Sequence, residues 1–141
     1  MLLWIAGSRN YCARIMEDIN RPKSGNRALG YFGESAVVDF LANRGTVIVD
    51  RNWRIKEGEI DIVAELPDGK ISFVEVKTRS SMIFGHPLEA INSEKAHRLQ
   101  RLALAWLAMH QSFGREYQID CAAVILSPGG SFTIEYRENV L

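Results

Sequence analysis

The tetrapeptide Leu66-Pro67-Asp68-Gly69 sets the geometry of the chain around it. Proline at the second position and glycine at the fourth mark a type I turn that closes a three-residue-loop hairpin with a glycine bulge. It joins Gly58-Glu59-Ile60-Asp61-Ile62-Val63 to Phe73-Val74-Glu75-Val76-Lys77-Thr78-Arg79. In that geometry Leu66 faces Lys70. Opposed positions on antiparallel strands then place Asp61 across from Glu75 and Glu59 across from Lys77, and directly opposed residues share a face. A two-residue loop would slip the register by one and send Asp61 and Glu75 to opposite faces, so the turn decides whether an acidic site exists.

Two carboxylates on neighbouring strands, with Cβ atoms roughly 5 Å apart, repel each other unless a cation or a proton intervenes. A hard divalent cation suits them. Mg²⁺ favours carboxylate and carbonyl oxygens and keeps several waters, so Asp61, Glu75 and the backbone carbonyl of Val76 suffice as a partial shell. Lys77 leans to the side of Glu75, where its ammonium can orient or help deprotonate the attacking water and stabilise charge on a phosphoryl group. The competing reading is a solvated cross-strand charge pair on an open sheet face, and on residue types alone the two stand about level. Ile60, Ile62 and Ala64 alternate with the acids, and Val74 and Val76 with Glu75 and Lys77, which predicts one core face and one face where the charges converge.

An acid, a gap of about a dozen residues and then Glu-x-Lys, here Asp61 and Glu75-Val76-Lys77, resembles the signature of the PD-(D/E)xK nuclease superfamily. The wider pattern is more specific. Gly33-Glu34-Ser35-Ala36, Gly45, Arg51-Asn52-Trp53-Arg54, Gly58-Glu59-Ile60-Asp61, Val74-Glu75-Val76-Lys77-Thr78-Arg79, Phe84-Gly85, Ala90-Ile91, Lys95 and Arg98-Leu99 are similar to the YraN family of small bacterial proteins, across roughly residues 28–126. That family is similar in fold to archaeal Holliday-junction resolvases. The resemblance implies an α/β, restriction-endonuclease-like mixed β-sheet flanked by helices. It implies a Mg²⁺- or Mn²⁺-dependent site in which Asp61 and Glu75 are metal ligands, Lys77 is the catalytic lysine and Glu34 is the acid supplied by the first helix. Ile60 stands where the superfamily name has proline, a departure that touches no ligand.

The chain has 141 residues, 47% of them apolar, enough for one domain that buries roughly two-thirds of its unfolded surface. The expected division is an N-terminal extension over residues 1–27 and a single endonuclease-like domain over residues 28–141. Residues 7–27 carry Arg9, Arg14, Arg21, Lys23 and Arg27 around Pro22 and Gly25, and read as a mobile basic arm; a solvated leader explains it better than a nucleic-acid-contacting tail. Basic and acidic residues balance at 17 each, which excludes a global field for polyanions. A local rim is still expected from Arg54, Arg79, Lys95 and Arg98, aimed at DNA. Cys12 and Cys121 form no C-x-x-C unit and suit reduced thiols in a cytoplasm, and His86, His97 and His110 show no metal-ligand spacing. The opening Met1-Leu2-Leu3-Trp4-Ile5-Ala6 is too short to span a membrane, and no basic segment precedes it as in a secretory signal.

A helix is predicted over Leu29–Asn43, with Phe32, Ala36, Val37, Phe40 and Leu41 as its apolar stripe and Gly45 past its end. On the residues alone Glu34 is an ordinary first-turn acid. A strand over Thr46–Arg54 follows, with Trp53 as a lid on the core in preference to a base-stacking platform. After a loop over Ser80–Pro87, a second helix starts at Asn92 or Ser93, with Ala96, Leu99, Leu102, Ala103, Trp106 and Leu107 inward and Lys95, Arg98 and Arg101 as a basic flank. Strands at Gln118–Leu126 and Ser131–Tyr136 close the chain. A helix between the hairpin and the next strand predicts a parallel crossover. Two functions fit: an endonuclease acting on DNA, with branched or single-stranded structures among its candidate substrates, and a non-catalytic nucleic-acid-binding or adaptor protein on the same fold. A purely structural protein–protein module is the third reading. A homodimer follows only by analogy with resolvase-like relatives, which act as dimers on two-fold junctions.

Overall fold

A computed structural model describes residues 2–6, 25–80 and 92–140. In chain order the elements are strand β1 (Leu2–Ala6), helix α1 (Gly25–Ala42), strands β2 (Val47–Ile55), β3 (Gly58–Glu65) and β4 (Ile71–Arg79), helix α2 (Ser93–Met109), and strands β5 (Tyr117–Leu126) and β6 (Phe132–Arg137). They form one mixed sheet ordered β1-β6-β5-β4-β3-β2. Its β4 and β5 strands run parallel through the α2 crossover, and its other neighbours are antiparallel. The chain is therefore an α/β fold, a mixed sheet flanked by two helices.

The hairpin turn has the predicted geometry. Leu66 N–H donates to the Lys70 carbonyl and Gly69 N–H to that of Leu66, each at 2.9 Å. Gly69 sits at φ +88°, a left-handed conformation that costs glycine nothing. The β3–β4 register runs from Glu65↔Ile71 to Ile62↔Val74 and ends one step short of the expected Asp61–Glu75 pair.

The expected division into one core face and one charged face does not hold, because a helix covers each side of the sheet. Phe32, Ala36, Val37 and Phe40 of α1 pack on Ile62, Val74, Val124 and Ile134. Leu99, Leu102, Trp106 and Leu107 of α2 pack on Val63, Phe73 and Ile119. Strands buried on both faces read as nearly continuous apolar runs, as Ile60 to Ala64 does. The charges gather instead at one end of β3 and β4.

The N-terminal extension, expected to be mobile, contributes strand β1, which pairs with β6 from Leu2↔Tyr136 to Ala6↔Phe132. An apolar segment there covers what would be an open sheet edge. Helix α1 starts at Gly25, inside the segment assigned to that extension, so Glu34 lies well past the first turn and the dipole no longer accounts for it. The remainder of the basic arm, with Cys12, and the loop carrying Phe84-Gly85-His86-Pro87 fall outside the described residues.

In α2, Asn92 is the N-cap, its side chain accepting the Lys95 N–H at 2.9 Å, and all six predicted inward residues are buried. At its far end the Trp106 indole N–H donates to Asp50 Oδ2 at 3.1 Å, and His110 stacks on Trp106 at 4.2 Å. Trp53 packs against the α2 side of the core, a lid as expected. Among the described residues no helix is long and apolar enough to cross a membrane.

Candidate functional site

Past Ile62↔Val74 the sheet forks. The start of β3 stays with β2 as far as Gly58↔Ile55, and the end of β4 stays with β5 as far as Arg79↔Ile125. A continued antiparallel ladder would hand the Val76 N–H to the Ile60 carbonyl. Asp61 Oδ2 takes that N–H instead, at 2.8 Å. The fork opens a cleft of about 600 Å³, walled by the first half of α1 (Leu29, Gly30, Glu34) and the start of α2 (Lys95, Arg98, Leu99). Its floor and rim comprise Gly58, Glu59, Asp61, Glu75, Val76, Lys77, Thr78 and Arg79.

Asp61 and Glu75 are both only 8% exposed. Burial first, and then the neighbouring Glu75 charge, push the Asp61 carboxyl up to about 7, against the Val76 N–H that favours its ionised form. Burial likewise raises the Glu34 carboxyl above its ordinary range, opposed by a hydrogen bond from Asn52 and the charge of Arg51 and reinforced by Glu59 and Glu75. Asn52 holds a left-handed backbone, φ +51°, at this point. The cleft thus concentrates negative charge that a cation would neutralise. Two carboxylates meet what Mg²⁺ requires when it keeps several waters, so the donor set fits a hard divalent cation. Glu34 remains held by Asn52, and among the described residues no three His, Cys, Asp or Glu side chains converge into a ready-made shell.

Lys77 Nζ lies 3.1 Å from Glu75 Oε1, and Lys95 Nζ lies 3.7 Å from the same oxygen. Burial works to lower Lys77, but the Glu75 and Asp61 carboxylates outweigh that and raise it. Burial and the adjoining Lys77 lower Lys95. The expected Glu59–Lys77 pairing is corrected: with the ladder ended, Glu59 turns to Arg54 across β2–β3, at 2.5 Å. Of the four residues expected to form a nucleic-acid rim, Arg79, Lys95 and Arg98 line the cleft, while Arg54 is held by Glu59 beside it. Glu59 and Thr78 are cleft residues to which sequence reasoning gave no role. Cys121, beside Glu75 in the parallel ladder, is pushed up to about 12 by burial and by the Glu75 and Asp120 charges, so it stays a thiol.

Gly33 explains how α1 comes close enough to bring Glu34 to this cleft. A Cβ at Gly33 would lie 1.7 Å from Thr78 Oγ1 and 2.9 Å from Thr78 Cβ. Thr78 is buried, and Oγ1 has no hydrogen-bond partner among the described residues. Gly33→Ala is expected to destabilise the protein by about 2 kcal/mol, overpacking outweighing the better helix propensity of alanine. Denaturant unfolding checks this, and Thr78→Ala in the Gly33→Ala background should recover part of the loss, since alanine removes Oγ1 but keeps the Cβ at 2.9 Å. A Gly33→Ala protein as stable as wild type would mean that α1 does not depend on this contact.

The model of the uncharacterised protein family UPF0102 matches residues 33–124. A UPF0102 protein of Beutenbergia cavernae is 46% identical over 114 residues, covering 80% of this chain and 95% of the relative. Those of Trichlorobacter lovleyi and Dictyoglomus turgidum are 41% and 40% identical over 115 residues, covering 82% and 81% of this chain and 91% and 97% of their own. Among solved structures, Pyrococcus furiosus SfsA in complex with Ca²⁺ aligns with a TM-score of 0.39 at 17% identity, over 80% of this chain and 63% of that one, a distant likeness.

Proposed function

The chain belongs to the uncharacterised protein family UPF0102, whose description assigns no activity, and from the cleft we propose that it is a divalent-metal-dependent endonuclease hydrolysing DNA phosphodiester bonds. One observation carries the reading: Asp61, Glu75 and Lys77 meet at a fork that the Asp61 carboxylate itself helps to hold open. Asp61 and Glu75 would hold Mg²⁺ or Mn²⁺, with the Val76 carbonyl and Glu34 as the further donors. When bound, such an ion stabilises charge on the phosphoryl group and makes water a better nucleophile. The Val76 N–H fixes Asp61 through one oxygen, so its carboxylate is oriented before any ligand arrives. Lys77, paired with Glu75, stays an ammonium, and its task is to stabilise negative charge building on a phosphoryl oxygen in preference to accepting a proton.

The test is cleavage of single-stranded, duplex, flap and four-way-junction DNA with Mn²⁺, Mg²⁺ or EDTA. Wild type is compared with Glu75→Ala and Lys77→Ala at matched folding. Metal-dependent cutting by wild type that both variants lose supports the reading. Wild type that binds these substrates and cuts none would overturn it in favour of a non-catalytic nucleic-acid-binding adaptor. A four-way junction, being two-fold, would engage two copies of the chain, so mass in solution is measured with and without it.

A further inference from the structure

The cleft is divided by charge. Glu34, Glu59 and Asp61 stand on the side of α1 and β3, whereas Lys77, Arg79, Lys95 and Arg98 stand on the side of β4 and α2. Glu75 lies between them. We propose that the substrate strand runs along the N-terminal half of α2, its phosphates held by Lys95 and Arg98. This rests on the endonuclease reading and adds to it where the strand lies.

Residues three apart on a helix share a face, so Lys95 and Arg98 present their charges side by side, near the spacing a nucleic-acid backbone needs. Their position is fixed from two directions. The Asn92 cap takes the Lys95 backbone N–H, and the flanking Ala96 and Leu99 are buried. Lys95 belongs to the interior of the site and not to its rim: its side chain is 19% exposed, against 23% for Lys77. Both ammoniums converge on the same Glu75 oxygen, at 3.7 and 3.1 Å. Two like charges brought together at one carboxylate oxygen repel, and an arriving anion relieves that repulsion. A phosphate supplies such an anion, and Arg98 offers the next one a planar fork of donors. Arg54 is as basic but sits outside the cleft lining, on the exposed side of its pair with Glu59, and the track does not include it. A chain with zero net charge needs such a local track, because no global field holds a polyanion to it.

The experiment measures affinity for a short single-stranded oligonucleotide in EDTA across a range of salt, with wild type, Lys95→Gln, Lys95→Arg, Arg98→Gln and Arg54→Gln. Each phosphate contact contributes about 0.7 to the slope of log affinity against log salt for a single strand. Lys95→Gln and Arg98→Gln should each lower the slope by about that amount and weaken low-salt binding about tenfold. Lys95→Arg should bind close to wild type and shows that loss of charge, not loss of folding, is being read. Arg54→Gln should keep the wild-type slope. The inference is overturned by wild-type slopes in Lys95→Gln and Arg98→Gln, by an equal fall in all three glutamine variants, or by wild type binding no oligonucleotide. It is also overturned if inorganic phosphate binds as tightly as the oligonucleotide, since the site would then serve a free anion. Cutting by a wild type whose slope ignores Lys95 and Arg98 fails this inference alone. The predicted slope changes in a protein that never cuts would keep it and fail the nuclease reading.

Discussion

Asp61→Asn is expected to make the metal-free protein more stable at about pH 8, by on the order of 3 kcal/mol, while removing metal-dependent cleavage. The gain comes from the buried charge. In the folded chain the Asp61 carboxyl is pushed from its ordinary 3.8 up to about 7, by burial first and by Glu75 second. Between those two values the folded state holds a proton that the unfolded state has released. Stability of the wild type in EDTA therefore falls as pH rises from near 4 to about 7, and is level above that. Each pH step across that window is worth about 1.4 kcal/mol at most. Asparagine carries no charge to bury, yet its amide oxygen can still accept the Val76 N–H. Urea titrations at several pH values check this: the variant should lack the decline, and Mg²⁺ should raise the midpoint of the wild type at about pH 8 and not that of the variant. Parallel pH profiles for the two proteins would show that Asp61 is ionised in the fold at no cost, and the case for a cation at the fork would lose its electrostatic basis.

How much of this was legible in the sequence follows from the reach of each interaction. The turn at Leu66-Pro67-Asp68-Gly69 is local chemistry, and it was enough to set the β3–β4 register as far as Ile62↔Val74, one step short of Asp61 and Glu75. The stripe of α2 and its Asn92 cap were legible for the same reason. The fork was not. It depends on a carboxylate of one strand displacing a backbone acceptor for the N–H of another, and counting residues outward assumes that the ladder continues. Hence Glu59 was set opposite Lys77 when it turns to Arg54. The alternation of Ile60, Ile62 and Ala64 predicts a one-faced sheet because periodicity cannot show that a second helix covers the other face. Glu34 needed the register between α1 and β4, which the Gly33–Thr78 contact sets across more than forty positions of chain.

Asp120 was the least legible residue of all, and its replacement is expected to have the largest cost. In sequence it is a lone acid in the apolar run of β5, yet in the fold it is fully buried. It accepts hydrogen bonds from Ser72 Oγ at 2.5 Å, Tyr136 OH at 2.7 Å, the Asn139 N–H at 2.8 Å and the Gln118 side-chain amide at 2.9 and 3.1 Å. These donors come from β4, β5, β6 and the segment beyond β6, so one carboxylate ties the central strands together. Burial first and the Asp120 charge second raise Tyr136 well above the usual phenol range, which keeps its hydroxyl a donor. Asparagine puts an amide N–H₂ where one carboxylate oxygen was: facing the Asn139 N–H it meets a group that can only donate, and facing Ser72 and Tyr136 it makes both hydroxyls give up their present bonds and reverse, at a cost in a low-dielectric interior. Asp120→Asn should therefore cost on the order of 4 kcal/mol in denaturant unfolding, and Tyr136→Phe, which removes one donor, about 1 kcal/mol. An Asp120→Asn protein within 1 kcal/mol of wild type would mean that the network rearranges without loss. Asp120 pairs with Val74 in the β4–β5 ladder, ahead of Glu75, Lys77 and the cleft. Cleavage per folded molecule should therefore survive its loss. The two aspartates should act in opposite senses: one stabilises the fold and is dispensable to the chemistry, the other destabilises the fold and is required by it.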